Sequence, residues 1–298
     1  MTDLSAGPRA PEALCPGPDP DPRGPRRFAV PSGAVDTHAH VIGLPPRWPL
    51  VANRSYTPPE AGPSAYLAML DATGMTHGVL VQVSVHGTDN RLMESVLRAH
   101  PDRLRGIGVV GLGRSEAEYG VLKAAGVVGL RLNVLFGGGV SLDGLESYGA
   151  LCREMGWHLQ LLLDARQLPE LAPRLAKLPV PFVIDHMGHM PAAGALEEPG
   201  FRTLVSLVRD GAWVKLSGAY RLSDDAPAYP ETTPMARALL EAAPERCVWG
   251  SDWPHVANWG VMPNVGDLLD LLADWAPEAA LRHRVLVENP ARLYGFPA

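Results

Sequence analysis

The chain is poor in cysteine, and the three it has (Cys15, Cys152 and Cys247) lie far apart with no C-x-x-C pair. That excludes a disulfide framework and a thiolate zinc site, and fits a reducing, cytoplasmic setting. No apolar run approaches the roughly 18 residues that a membrane-spanning helix needs. Positive charge is short as well: Lys+Arg 26 against Asp+Glu 32 gives a net charge of −6. With no basic block to track phosphates, nucleic acid is not an expected partner. Arg26-Arg27 is followed by Phe28-Ala29-Val30-Pro31, too short and too broken by proline for a targeting segment. No Gly-rich dinucleotide fingerprint follows any apolar run.

What is present is enough apolar residue, 46% of 298, to bury one large core. Residues 1–33 differ from the rest, because eight of the 30 prolines fall within the first 31 positions. Such a stretch buries little apolar surface, so a Pro-rich tail, mobile or draped on the surface, is expected ahead of a single domain over 34–298. From Ala34 on, short apolar runs alternate with amphipathic ones. Strands are predicted at 34–41, 77–84, 104–111, 127–133, 157–163, 180–186, 212–217 and 246–251. Helices are predicted near 64–73, 90–100, 115–125, 142–155, 167–177, 199–210, 231–243, 264–275 and 278–288. Ser64, Asn90 and Ser115 are the expected N-caps, Gly74, Gly126, Gly156 and Gly211 lie where helices end before strands, and Asn289-Pro290 punctuates the last helix. Near-continuous apolar strands suit a parallel sheet covered on both faces. Eight β/α units point to an α/β (β/α)₈ TIM barrel rather than a doubly wound open sheet.

Chemistry in such a barrel sits at the C-terminal ends of the strands. Those ends carry Asp36-Thr37-His38-Ala39-His40, Ser84 with His86, Arg131 with Asn133, Asp185-His186, Ser217 running to Tyr220-Arg221, and Ser251-Asp252-Trp253-Pro254-His255. Any one of these has an ordinary structural explanation: a core histidine, a helix-capping aspartate, a surface arginine. Their collection at one end of the expected barrel is what points to a site. With period two, His38 and His40 face the same way.

The segments VDTHAHV, VQVSVHGTDNR, GVVGLRLN, FVIDHMG, WGSDWPH and ENPARLYGF resemble the amidohydrolase superfamily over nearly all of 34–294. Within it they are most similar to the lactonase group typified by 2-pyrone-4,6-dicarboxylate lactonase. The resemblance implies a hydrolase that opens the ring of a carboxylated lactone. Asp252 would take a proton from the attacking water, while His38, His40 and His186 surround the carbonyl. Arg131, Arg221, Tyr56, Ser84 and His86 would bind a small anionic lactone or carboxylate. An aspartate ionised at pH 7, oxyanion donors and planar guanidinium forks are the groups that chemistry needs.

Two positions depart from that group's pattern: Gly137 stands where it has a basic residue, and Leu162 where it has a tyrosine. A smaller or less charged lactone follows, or else a flexible Gly137-Gly138-Gly139 loop that admits a bulkier one. The resemblance implies no required cofactor. The alternative is one Zn²⁺ on His38, His40, His186 and Asp252, as in a mononuclear zinc decarboxylase of the same superfamily. A lactone isomerase using the same base is a further alternative. Trp213, Trp249 and Trp275 are expected in the core, and Trp259, Met262 and the Tyr148 region offer an apolar contact surface, with oligomeric state left open.

Overall fold

The computed structural model describes residues 14–297; positions 1–13 of the expected tail and Ala298 lie outside them. Eight parallel strands run in sequence order: β1 (Val35–Ala39), β2 (His77–Val81), β3 (Leu104–Gly108), β4 (Val127–Asn133), β5 (His158–Leu162), β6 (Phe182–Ile184), β7 (Trp213–Leu216) and β8 (Cys247–Trp249). The ring closes just past the last strand. The His40 N–H donates to the Trp253 carbonyl at 2.8 Å, and the Asp252 N–H to that of His38 at 2.8 Å. This is the (β/α)₈ barrel expected from the alternation of apolar runs, and the strands are nearly continuous in apolar character because helices cover them outside and side chains fill them inside.

Among the described residues the main outer helices are α1 (Pro63–Thr73), α2 (Arg91–Ala99), α3 (Glu116–Ala125), α4 (Leu145–Met155), α5 (Leu168–Leu175) and α6 (Pro199–Arg209). A short α7 (Ala219–Leu222), which the sequence pattern does not announce, precedes α8 (Thr232–Ala242). Gly74, Gly126 and Gly156 end α1, α3 and α4 in the left-handed conformation that a Cβ would strain. Ser115 caps α3 in a reciprocal box with Glu118. Ser64 does not cap: α1 starts one residue earlier, with Gly62 as N-cap and Pro63 in the first turn, where its missing N–H costs nothing. Asn90 flanks α2, but its side chain is taken by the backbone N–H and carbonyl of Val109.

The expected helix at 264–275 is two pieces, α9 (Val265–Asp270) and α10 (Leu272–Trp275). Helical backbone also continues past Asn289-Pro290: α11 (Ala279–His283) runs through a π-turn into α12 (Asn289–Tyr294). Pro290 lies in the first turn of α12, where it is tolerated. No helix among the described residues is long and apolar enough to cross a membrane. Residues 14–33 lie along the barrel: the Cys15 N–H bonds the Thr57 carbonyl, and Arg23, Arg26 and Arg27 pair with Asp267, Asp270 and Asp274.

At the barrel's floor Val35 and Val79, near the starts of β1 and β2, pack with Tyr294 and Phe296 from the end of the described chain. The same cluster runs on to Val81 and Ile107 further along β2 and β3, and Val183, Trp213 and Val248 make a second small cluster. Trp213, Trp249 and Trp275 are buried as expected; Tyr148 is too, its hydroxyl donating to the Val110 carbonyl, so it offers no outer contact surface.

Candidate active site

The first strand sets the geometry. Strict alternation would put Asp36 on the same face as His38. The register between β1 and β2 slips between Asp36 and Ala39, a bulge that inserts one extra residue. Asp36 therefore accepts from Tyr66 on α1 and from Ser251, with burial pushing its carboxyl up to about 6, while His38 meets Asp185 and Lys215 within the barrel. His40 Nδ1 lies 2.7 Å from the Val81 carbonyl, which can only accept. The ring's proton is thus on Nδ1, and Nε2 presents a lone pair to the barrel mouth.

Asp252 sits beyond β8 with φ 60, and His186 beyond β6 with φ 51. Backbone strain of this kind persists where the surroundings over-determine it. The two oxygens of Asp252 have different surroundings. Oδ2 accepts from Arg221 Nε at 2.6 Å and from the Tyr220 hydroxyl at 2.7 Å. Oδ1 has no hydrogen-bond partner and lies 3.7 Å from His38 Nε2 and 3.8 Å from His40 Nε2. His186 completes the ring, its Nε2 3.8 Å from Oδ2 and its Nδ1 bonded to Ser217 Oγ at 2.9 Å. Burial alone would raise the Asp252 carboxyl, but the Arg221 guanidinium beside it outweighs this and holds it well below the usual range. Burial drives the histidines the other way, His40 to about 4 and His186 to about 3, so they are neutral at pH 7.

One layer deeper lies a group of which the strand-end pattern picks out Arg131 and Asp185 but not Gln160 or Lys215. Asp185 Oδ2 accepts from Arg131 Nε at 3.2 Å and Gln160 Nε2 at 3.1 Å. The fully buried Lys215 donates to the Thr37 carbonyl at 2.7 Å and to Gln160 Oε1 at 2.8 Å. Burial lowers its ammonium to about 8. A lysine inside the apolar run Trp213-Val214-Lys215-Leu216 was the available signal, since a strand covered on both faces has no wet side for it. Tyr220, next to Arg221, was legible only as a neighbour.

Most of the expected binding residues do converge. His40, Tyr56, Ser84, Arg131, His186, Arg221 and Asp252 line one cleft, with Asn133, Phe136, Leu162 and Val256 as further walls. Tyr56 and Ser84 touch through their hydroxyls at 3.3 Å. Arg131 and Arg221 reach the cleft with part of each fork already committed to Asp185 and Asp252. His86 stands apart: its ring accepts from Gly43 N–H and reaches the Pro49 carbonyl, tying down the loop after β1. The position of Gly137 leaves no room for a basic side chain, because a Cβ there would collide with the Asn53 carbonyl oxygen. Its N–H instead bonds Ser55 Oγ at 2.8 Å, and Asn133 Oδ1 accepts from Leu135 and Phe136 N–H, which folds the loop inward.

A family model described as amidohydrolase matches residues 35–296. The chain belongs to the amidohydrolase family. It is 37% identical over 277 residues to the 4-sulfomuconolactone hydrolase of Hydrogenophaga intermedia, covering 91% of each chain. It is 35% identical over 280 residues to a 2-pyrone-4,6-dicarboxylate hydrolase of Comamonas testosteroni, covering 90% of this chain and 92% of that one. The solved structure of a probable 2-pyrone-4,6-dicarboxylic acid hydrolase from Acinetobacter baumannii, with citric acid bound, superposes with a TM-score of 0.80 at 30% identity, over 89% of this chain and 100% of that one.

Amidohydrolase barrels often hold a metal, and the donor set here fits one ion. His38, His40 and Asp252 each offer a ligand atom within 4.8 Å of the others, and the buried His38 Nε2 and Asp252 Oδ1 are both without partners. Imidazole nitrogen and carboxylate oxygen are ordinary zinc ligands.

Proposed function

We propose that this amidohydrolase opens the ring of a lactone bearing a single anionic group, with Asp252 as the base that activates water. The observation that carries the reading is the asymmetry of the Asp252 carboxylate: Tyr220 and Arg221 occupy Oδ2, leaving Oδ1 unpaired toward the imidazoles. A water between Oδ1 and the His40 Nε2 lone pair loses its proton to Asp252 as its oxygen attacks the lactone carbonyl. Charge then builds on the carbonyl oxygen, where N–H donors from His38 and His186 stabilise it. Collapse breaks the ring C–O bond, and the released oxygen takes the proton back from Asp252. The two chain relatives named above are called hydrolases of a sulfonated and of a doubly carboxylated lactone-type substrate, which supports the reaction class.

Charge supports a single anionic arm. Among the residues lining the cleft, two cations (Arg131 and Arg221) face one carboxylate (Asp252) around neutral histidines, an excess of one positive charge. Leu162, Phe136 and Val256 give the rest of the cleft an apolar wall, and no basic side chain fits at Gly137. We further propose that no metal is required. A Zn²⁺ held by His38, His40 and Asp252 would act as a Lewis acid on the carbonyl, and the Arg221 and Lys215 charges oppose its entry.

The test is hydrolysis of a panel of mono- and dianionic lactones by chelator-dialysed protein whose metal content is assayed in the same sample. Turnover by metal-free protein, faster on monoanionic rings, is expected. Activity that vanishes on dialysis and returns with Zn²⁺ would make these residues ligands instead. Turnover of no lactone in either state would sink the assignment.

A further inference from the structure

The nitrogen that His38 turns toward Asp252, Nε2, has its state decided on the far side of the ring. Nδ1 has two neighbours with opposite demands: Lys215 Nζ at 3.2 Å, which can only donate, and Asp185 Oδ1 at 3.4 Å, which can only accept. A neutral imidazole has one proton to place. If Nδ1 accepts from Lys215, Nε2 carries the proton and is a donor; if Nδ1 donates to Asp185, Nε2 is a lone pair and a metal ligand.

The surrounding bonds favour the first arrangement. Two of the three ammonium protons on Lys215 go to the Thr37 carbonyl and Gln160 Oε1, at 2.7 and 2.8 Å. The third has His38 Nδ1 at 3.2 Å and Asp185 Oδ1 only at 3.6 Å. The amide of Gln160 is held from both ends, its oxygen by Lys215 and its nitrogen on Asp185 Oδ2, so the lysine cannot swing without breaking that bridge. Asp185 meanwhile has Arg131 and Gln160 on Oδ2. A fully buried ammonium is costly to desolvate, and floor residues of similar volume would pack more cheaply.

We propose that Lys215 is a positioning residue that fixes His38 as the Nε2–H tautomer, supplying a donor beside Asp252 and withdrawing that nitrogen from metal ligation. Asp185 Oδ1 is the waiting acceptor for the opposite tautomer. Zinc binding at His38 therefore requires the ring proton to move from Nε2 to Nδ1, against the hydrogen bond from Lys215. The two residues together select between donor and ligand chemistry at one histidine. The inference concerns the ring itself and is read without substrate, so it stands or falls apart from the lactone assignment.

The deciding measurement is a long-range ¹H–¹⁵N spectrum of the metal-free full chain at pH 7, with histidine ¹⁵N-labelled and His38 assigned by its loss in His38→Gln. The wild type is expected to show His38 protonated at Nε2. Lys215→Met, which leaves Asp185 its Arg131 and Gln160 partners, should move the proton to Nδ1. It should also tighten Zn²⁺ binding, titrated with the metal alone, by about 10–100-fold, the size of outer-shell effects on metal sites. A wild-type His38 protonated at Nδ1 overturns the assignment, and that reading does not depend on Lys215→Met folding. Tighter zinc binding with an unchanged tautomer would report lost charge alone, and overturns it too.

Discussion

The two ends of the barrel are built from the same eight strands and solve opposite problems. At the floor, Val35 and Val79 meet Tyr294 and Phe296 in a packed apolar cluster. At the mouth, neutral imidazoles ring an ionised Asp252, with left-handed backbone at His186 and Asp252. Between them lies the seam where Lys215 Nζ stands 5.9 Å from the Tyr294 ring centre. Apolar burial favours the fold at about 25 cal/mol per Å², whereas buried charge and strained backbone oppose it. The floor holds the barrel; the mouth spends part of that stability on chemistry.

Substitutions should separate the two ends. The largest expected effect is Asp252→Asn, with kcat on a confirmed lactone falling about 10³-fold, in the range of a lost general base. A loss smaller than tenfold would place the base elsewhere. In the apolar cluster that extends up from the floor, Ile107→Ala should cost about 2–5 kcal/mol in denaturant unfolding, with kcat per folded molecule near wild type. An activity loss beyond the folded fraction would break the division between the ends.

Acid should act through the mouth first. Burial holds His40 at about 4, His186 at about 3, and His189 and His255 at about 4, all below the unfolded value near 6.5. Between those values the unfolded chain takes up more protons, so stability is complete above about pH 6.5 and is lost as pH falls toward the folded values. Asp252 and Asp185 are held well below the usual carboxylate range, and they add to this loss only once pH falls below about 4. A melting temperature that stays level from pH 7 to pH 5 would mean charged histidines in the fold. Two smaller effects complete the series. Tyr220→Phe removes one of two donors on Asp252 Oδ2, and kcat should fall about tenfold, the worth of one hydrogen bond to a charged group. Ser115→Ala, at an exposed helix cap outside the cleft lining, should cost about 1 kcal/mol of stability and no activity.

The sequence made the barrel legible because its strands lie between two covered faces, and residues at their C-terminal ends announce themselves as polar interruptions. His38, His40, His186 and Asp252 converge because each lies at or just past the C-terminal end of a strand of the same sheet. What stayed hidden depends on departures from regular geometry or on partners far along the chain. Alternation alone cannot show that a bulge turns Asp36 away from His38. Nor does spacing reveal that Arg131, expected to hold substrate, gives two nitrogens to Asp185, or that His86 braces a loop. Lys215 was visible as an oddity, but its meaning needed Gln160 and Asp185 from two other strands. Asn90 and Ser64 misled for a local reason: a capping residue type beside a helix can be claimed by a better partner or displaced by a proline.

The floor has a consequence for how the molecule comes into being. Val35 on the first strand is sealed by Tyr294 and Phe296, about 260 positions further along. A nascent chain can form its early β/α units, but it has nothing to stopper the starts of those strands until residue 296 has been made. Contacts of such long range fold slowly and leave apolar strand ends uncovered meanwhile. Chains interrupted before Tyr294 should thus be clients for chaperones rather than small working enzymes, whatever the state of their catalytic mouth.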